Sequence, residues 1–167
     1  AMGEEPYSIA IILKELLQKE ETPIKANIFA TDIDRDTLKK ASEGTYRIES
    51  IENVKYSLLN KYFTMNDNKF IIDSKIKDMV HFSFYDLLDQ KNSVPSDSIF
   101  GGFDVTICRN VLIYFNTDYQ EIVFNKLYNS LNTNGILILG DTETIINKFK
   151  PKFVQISSCC KIYRKIH

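Results

Sequence analysis

In three places the chain sets polar side chains directly after a short apolar run. Asp32 closes Ala26-Asn27-Ile28-Phe29-Ala30-Thr31, Asp86 follows Val80 to Tyr85, and Arg109-Asn110 follow Phe103 to Cys108. A carboxylate at the first place can accept hydrogen bonds from both ribose hydroxyls of a nucleoside cofactor. It can equally cap the next helix, a role for which Asp34 competes. At the second place, a side-chain acceptor can take a hydrogen bond from an adenine amino group. Taken alone, Asp86 reads more simply as a turn or cap acid. Arg109 and Asn110 leave an apolar strand abruptly, so they must be paired or functional. An arginine that satisfies loop carbonyls is an equal alternative there.

Other chemistries find little support. His81 and His167 do not cluster with Cys or acids, which argues against a metal site. Cys108 has no His near it in sequence, so a Cys–His pair is unsupported. Cys159-Cys160 fall in an expected strand and read as packed thiols rather than nucleophiles. There is no phosphate-binding Gly-rich loop followed by Lys-Ser/Thr and no Gly-x-Ser-x-Gly elbow.

The elements that must position these residues follow from periodicity. Glu4, Glu5 and Pro6 suit a helix start, and Ile9, Ile12, Leu13, Leu16 and Leu17 recur at helical spacing until Thr22-Pro23. Residues 26–32 read as a buried strand. Asp34 or Asp36 can cap a helix running to about Ser42, which Gly44 ends. Residues 45–80 are polar and Tyr-rich. A short helix is expected over 53–60, and Asn66-Asp67-Asn68 predicts a hairpin between 62–65 and 69–72. This stretch reads as a small inserted β-subdomain. Strands are expected at 80–85, 103–108 and 136–139, with helices over 117–132 and 142–148. Residues 89–102 read as a loop, and 153–157 with 160–164 as a closing hairpin. Strands alternating with helices imply an α/β sheet that is mostly parallel, with an antiparallel edge. Such sheets bind ligands beyond the carboxyl ends of their strands.

Composition sets the outer limits. The chain has 167 residues, 44% hydrophobic and 26% charged, which is globular and matches one core. A formal charge of −1 gives no bulk electrostatic reason to bind nucleic acid or an anionic membrane. No apolar run approaches the ~20 residues that span a bilayer. An odd count of three cysteines without a C-x-x-C pair reads as reduced, cytoplasmic thiols.

Several blocks occur together in order: Gly3-Glu4-Glu5-Pro6-Tyr7-Ser8-Ile9-Ala10, Ala30-Thr31-Asp32-Ile33-Asp34, Cys108-Arg109-Asn110-Val111-Leu112-Ile113-Tyr114-Phe115, Gly140-Asp141-Thr142-Glu143 and Ile162-Tyr163-Arg164. The chain resembles the catalytic domain of the CheR chemotaxis receptor methyltransferases from Gly3 to about Lys165. The resemblance implies a Rossmann-like fold, S-adenosylmethionine as methyl donor and S-adenosylhomocysteine as product. It implies protein-glutamate O-methyltransferase activity (EC 2.1.1) on the cytoplasmic domain of chemoreceptors, in the cytoplasm. Carried over by position, Glu5, Asp32, Asp86, Leu87, Arg109 and Asn110 are the expected cofactor contacts, and Tyr114 faces the reaction centre. Asp86 stands where the family frequently has Asn, and Asp141 where it often has His. The family's Gly-rich loop, first central strand and N-terminal helical domain are expected upstream of Gly3, so the sequence reads as truncated at its N-terminus. Three consequences are open: direct pairing of 26–32 with 103–109, a strand-swapped dimer, or an incomplete cofactor site that leaves this chain inactive alone. A non-catalytic receptor-docking or sensor module of the same fold is the alternative function.

Overall fold

The computed structural model describes residues 2–21, 24–89 and 102–166. The chain divides into two compact units, Ala1–Tyr85 and Asp86–His167. Each is described in turn. Most of the expected 89–102 loop lies outside the described residues.

The first unit opens with α1 (Glu4–Leu17), acidic in its first turn where the helix dipole favours negative charge. Its buried face is Tyr7, Ala10 and Ile11, while Ile12 and Leu16 are more than half exposed. The helix was legible from its apolar period. The face differs: Ala10 and Tyr7, 0% and 3% exposed, are the most enclosed residues of the helix. Strand β1 (Ile28–Asp32) pairs in parallel with residues 80–84, and α2 (Arg35–Glu43) follows it. Gly44 ends α2 at φ 60, a left-handed conformation that glycine adopts without strain. A Cβ at Gly44 would also lie 2.6 Å from Ile72 Cγ2.

The Tyr-rich stretch carries its own antiparallel sheet. Its elements are β2 (Thr45–Tyr46), α3 (Ile48–Ile51), α4 (Tyr56–Tyr62), β3 (Phe63–Asn66), β4 (Lys69–Ile72) and α5 (Ser74–Lys77). The strand order is β2-β4-β3. The predicted hairpin is present, and Asp67 and Asn68 turn it at φ 45 and 61. Both central residues at positive φ match the right-handed twist of the flanking strands. β5 (Val80–Phe84) then runs beside β1 in register, Ile28 with Val80 and Asp32 with Phe84. The core of this unit gathers Tyr7, Ile11, Tyr46, Tyr62, Ile72 and Ile76.

The second unit holds a four-stranded sheet whose neighbours in space are Phe103–Cys108, Leu131–Leu139, Ile162–Lys165 and Phe153–Gln155, in that order. β6 (Phe103–Cys108) and β7 (Leu131–Leu139) are parallel, joined through α6 (Thr117–Ser130). β8 (Phe153–Gln155) and β9 (Ile162–Lys165) form the expected antiparallel edge. Asn116 caps α6 by accepting from Tyr119 N at 3.0 Å. α6 stops two residues earlier than periodicity suggested, and β7 starts at Leu131 rather than 136. Asn134 (φ 65) and Gly135 form an irregularity inside the strand, so the expected turn is absorbed into the ladder. Val123, Phe124, Leu127, Leu137, Leu139 and Phe149 are the centre of this core, with Phe124 and Phe149 stacked at 5.7 Å.

Two expectations are corrected here. Residues 142–148 are not a helix but turns and irregular chain. Thr142 and Thr144 are β-branched and weak helix formers, and Glu143 between them is turned inward with only 3% of its surface exposed. Cys159 and Cys160 are not packed in a strand: both are exposed, in the connection from β8 to β9. Among the described residues β1 pairs with β5 and β6 with β7, so pairing of 26–32 with 103–109 is not among the strand pairings.

Candidate functional site

In the first unit the expected contacts are Glu5 and Asp32. Glu5 lies in the first turn of α1 and is half-buried. Asp32 ends β1, and its Oδ1 accepts from Asp34 N at 3.0 Å. Its carbonyl accepts from Tyr85 N at 3.1 Å, which ties the β1 end to the β5 end. The helix cap that the sequence left open goes to Asp34. Asp34 Oδ1 accepts from Asp36 N at 2.9 Å and Oδ2 from Thr37 Oγ1 at 2.7 Å. Those bonds, the Thr37 hydroxyl first, hold its carboxyl below the ordinary range. Asp32 is therefore not the residue that caps α2.

In the second unit Asp86 Oδ1 accepts from Leu88 N at 2.8 Å, and Asp86 O accepts from Asp89 N at 3.1 Å. Both bonds close a tight turn in which Leu87 and Leu88 pack against the core. A buried cation holds this turn from behind. Lys126 on α6 is 8% exposed, and its Nζ donates to Asp86 O at 3.2 Å and to Asp89 O. Burial pushes the Lys126 ammonium down from its ordinary value, and the charges of Asp89 and Asp86 partly restore it.

The β6 end is held by a charge of the opposite sign. The Glu143 carboxylate accepts from Gly140 N at 2.7 Å, Leu112 N at 2.8 Å, Val111 N at 2.9 Å and Asn110 N at 3.0 Å. Successive amides aimed at one carboxylate form an anion-binding concavity. Asn110 sits at φ 58, a left-handed position that Asn tolerates better than most residues. Gly140 is required by the close approach, since a Cβ there would lie 2.7 Å from Glu143 Oε2 and 3.1 Å from Asn110 N. From the carbonyl side, Gln120 Nε2 donates to Leu112 O and Phe115 O, each at 3.1 Å. The main chain from Asn110 to Phe115 is thus fixed through both its donors and its acceptors. Arg109, Asn110 and Tyr114 are left exposed, Tyr114 at 81%. The loop offers a cation, an amide and a phenol on a rigid backbone, a set suited to binding and orienting a polar ligand.

Residues 1–162 match the model of the family described as CheR methyltransferase, SAM binding domain. The chain belongs to this family. This chain is 37% identical over 144 residues to the chemotaxis protein methyltransferase of Borreliella burgdorferi, covering 86% of this chain and 49% of that one. It is 34% identical over 149 residues to that of Salmonella typhimurium, covering 87% and 49%. It spans about half the length of the curated relatives it matches. A solved TehB-like SAM-dependent methyltransferase from Corynebacterium glutamicum aligns over 93% of this chain and 84% of its own, with 12% identity and a TM-score of 0.46.

The polar groups of this chain fit the cofactor that the family description names. In the first unit Asp32, at the end of β1, is an acceptor of the kind that hydroxyl groups need, and in the second Asp86 is an acceptor of the kind that amino groups need. The guanidinium of Arg109 suits a carboxylate. Two residues escaped sequence reasoning. Glu143 appeared only as part of a block, and its inward turn replaces an expected helix. Lys126 had a readable signal: it lies three residues after Val123 and four before Ser130, on the buried stripe of α6.

Proposed function

We propose that this chain is the donor-binding part of a protein-glutamate O-methyltransferase of the cytoplasm that acts on chemoreceptors. The observation that supports it most is the loop from Arg109 to Tyr114, with its main chain held by Glu143 and the side chains of Arg109, Asn110 and Tyr114 exposed. Catalysis of this kind rests on positioning, and a rigid backbone carrying exposed polar groups supplies it. Bound S-adenosylmethionine supplies an electrophilic methyl group, and S-adenosylhomocysteine is the product.

The acceptor is a glutamate side chain of a receptor's cytoplasmic helices. Its carboxylate is already ionised at neutral pH, so no strong base is needed. In the first unit, Asp32 takes ribose hydroxyls and Glu5 adds a second acceptor. In the second, Asp86 and Leu87 hold the adenine end, and Arg109 and Asn110 hold the rest of the donor. Tyr114 donates its phenolic hydrogen to the incoming carboxylate and orients it.

Titration calorimetry with S-adenosylhomocysteine and a methyl-ester assay on a chemoreceptor cytoplasmic fragment test this. Asp32→Ala and Asn110→Ala are expected to weaken cofactor binding about tenfold or more, the loss of roughly one charged or backbone-linked hydrogen bond. Tyr114→Phe is expected to lower kcat with little change in cofactor affinity. Cofactor binding without methyl-ester formation by the longest natural chain carrying these residues would leave a docking module instead.

A further inference from the structure

The β8–β9 connection presents a feature that the methyl-transfer reading does not use. Cys159 and Cys160 are adjacent and exposed, with their sulfurs 3.3 Å apart. The connection is held from both sides. Gln155 Nε2 donates to Ser157 O at 2.9 Å and to Cys160 O at 3.2 Å. Ser157 Oγ accepts from Cys160 N at 3.2 Å and lies 3.4 Å from Cys159 Sγ. Ile156 N donates to Ile162 O at 3.0 Å and closes the base of the loop. The two thiols are therefore presented together by a built turn.

The chemistry of two adjacent thiols excludes some partners. A structural zinc ion takes four ligands, and no group of three or more His, Cys, Asp or Glu side chains is placed to hold a metal among the described residues. A disulfide between them is disfavoured by covalent geometry. Consecutive Cα atoms lie about 3.8 Å apart, whereas bridged cysteines usually need about 4.4 Å or more. A partner that needs only two sulfurs, and holds them apart rather than bonding them, is the one that fits.

We propose that Cys159 and Cys160 form a two-sulfur binding site for thiophilic trivalent centres, of the class of monosubstituted arsenicals. Such a centre carries one carbon substituent, and two thiolates complete its valence. In the reaction with an arsenoxide, two sulfur–arsenic bonds form and both S–H bonds break. The arsenic-bound oxygen leaves as water with the two thiol protons. Arsenic stays trivalent, so no oxidant or reductant takes part. The Ser157 hydroxyl and the neighbouring thiol lower the Cys159 thiol below its ordinary value, while Cys159 raises Cys160. Cys159 is thus the first nucleophile and Cys160 closes the chelate. The site also has a defined address. Leu139 N donates to Lys161 O at 3.0 Å, which puts the pair at the carboxyl end of β7, and the Asp141 charge reaches Cys160.

The test uses phenylarsine oxide and the reduced chain, read by intact mass. One adduct per chain is expected, surviving an excess of glutathione and removed by 2,3-dimercaptopropanol. Cys159→Ser and Cys160→Ser are each expected to lose the glutathione-resistant adduct, with apparent affinity down about 100-fold or more because the second bond is no longer intramolecular. Cys108→Ala is expected to keep it. A resistant adduct in either single serine variant, or its loss on changing Cys108, would overturn the assignment. So would an internal disulfide without mixed disulfide on treatment with oxidised glutathione, since ring closure would then be easy.

Discussion

Two strand ends of this chain do the same kind of work by different physics. At the end of β1, the carboxylates of Asp32 and Asp34 bind amides two residues further on, at an exposed surface. At the end of β6, the Glu143 carboxylate reaches across more than thirty residues to bind three amides of the 110–112 segment and is itself 3% exposed. The first arrangement is local and wet, so each bond adds little beyond what water would supply. In the second the accepting carboxylate is buried, so its bonds are electrostatically stronger than in water. The turn after β5 resembles the second case with the sign reversed, a buried ammonium bound to carbonyls. Main chain that must stay fixed without regular structure is held here by buried charge, and the polarity of the charge matches the groups it satisfies.

The sharpest way to break the comparison is Glu143→Ala. Four amide donors, those of Gly140, Asn110, Val111 and Leu112, lose an acceptor that is itself only 3% exposed. A loss of about 3–5 kcal/mol is expected for the transition that includes the second unit, as for breaking a buried charged interaction. Thermal unfolding followed by circular dichroism checks it, and Glu143→Gln is expected to lose less, since one amide oxygen remains. A loss below 1 kcal/mol in the alanine variant would mean that water serves the amides equally well.

Next comes Lys126→Met, which keeps the buried stem and removes the donors. About 1–3 kcal/mol is expected, with faster amide exchange at Leu88 and Asp89. Asp34→Ala tests the wet end. The cost is expected to be about 1 kcal/mol, that of an ordinary helix cap, and confined to the first unit.

The smallest effect is a difference in alkaline behaviour. Burial pushes Tyr7 up to about 12 and raises Tyr46 further. Their unfolded values lie near 10. The unfolded first unit therefore loses these protons first, so the stabilisation present below pH 10 is lost as pH climbs toward 12. Burial lowers Lys126 and Lys165 in the second unit. The unfolded state then holds more protons in the interval below pH 10.5, so these two groups favour folding more as pH rises through it. Tyr163 is raised and opposes them. Urea midpoints at pH 8, 9.5 and 10.5, read separately for each unit by hydrogen exchange, are expected to fall for the first unit and to change less for the second. A parallel decline in both would remove the distinction.

Much of the architecture was legible because it follows short-range rules. The apolar runs expected at 26–32, 80–85 and 103–108 hold strands, Asp34 is a cap, and Asp67-Asn68 turn a hairpin. Each depends on neighbours within four residues. The errors have a common cause. Residues 142–148 were read as a helix because local pattern does not record that Glu143 is claimed by amides of a distant loop. α6 and β7 met at Leu131 because Asn134 could take a left-handed bulge inside the ladder. Cys159-Cys160 were assigned to a strand because nothing local distinguishes the start of β9 from the turn before it.

By itself, the sequence determined the class of the fold, the alternation of its elements and the family, since these rest on residue type and spacing. It also placed Asp32, Asp86, Arg109 and Asn110 at strand ends, where an apolar run meets polar residues. Only the tertiary structure decided which charges hold those ends. A buried carboxylate or ammonium is stable only where long-range packing excludes water and delivers complementary main-chain groups. Glu143 and Lys126 have those partners because β7 and α6 carry them there.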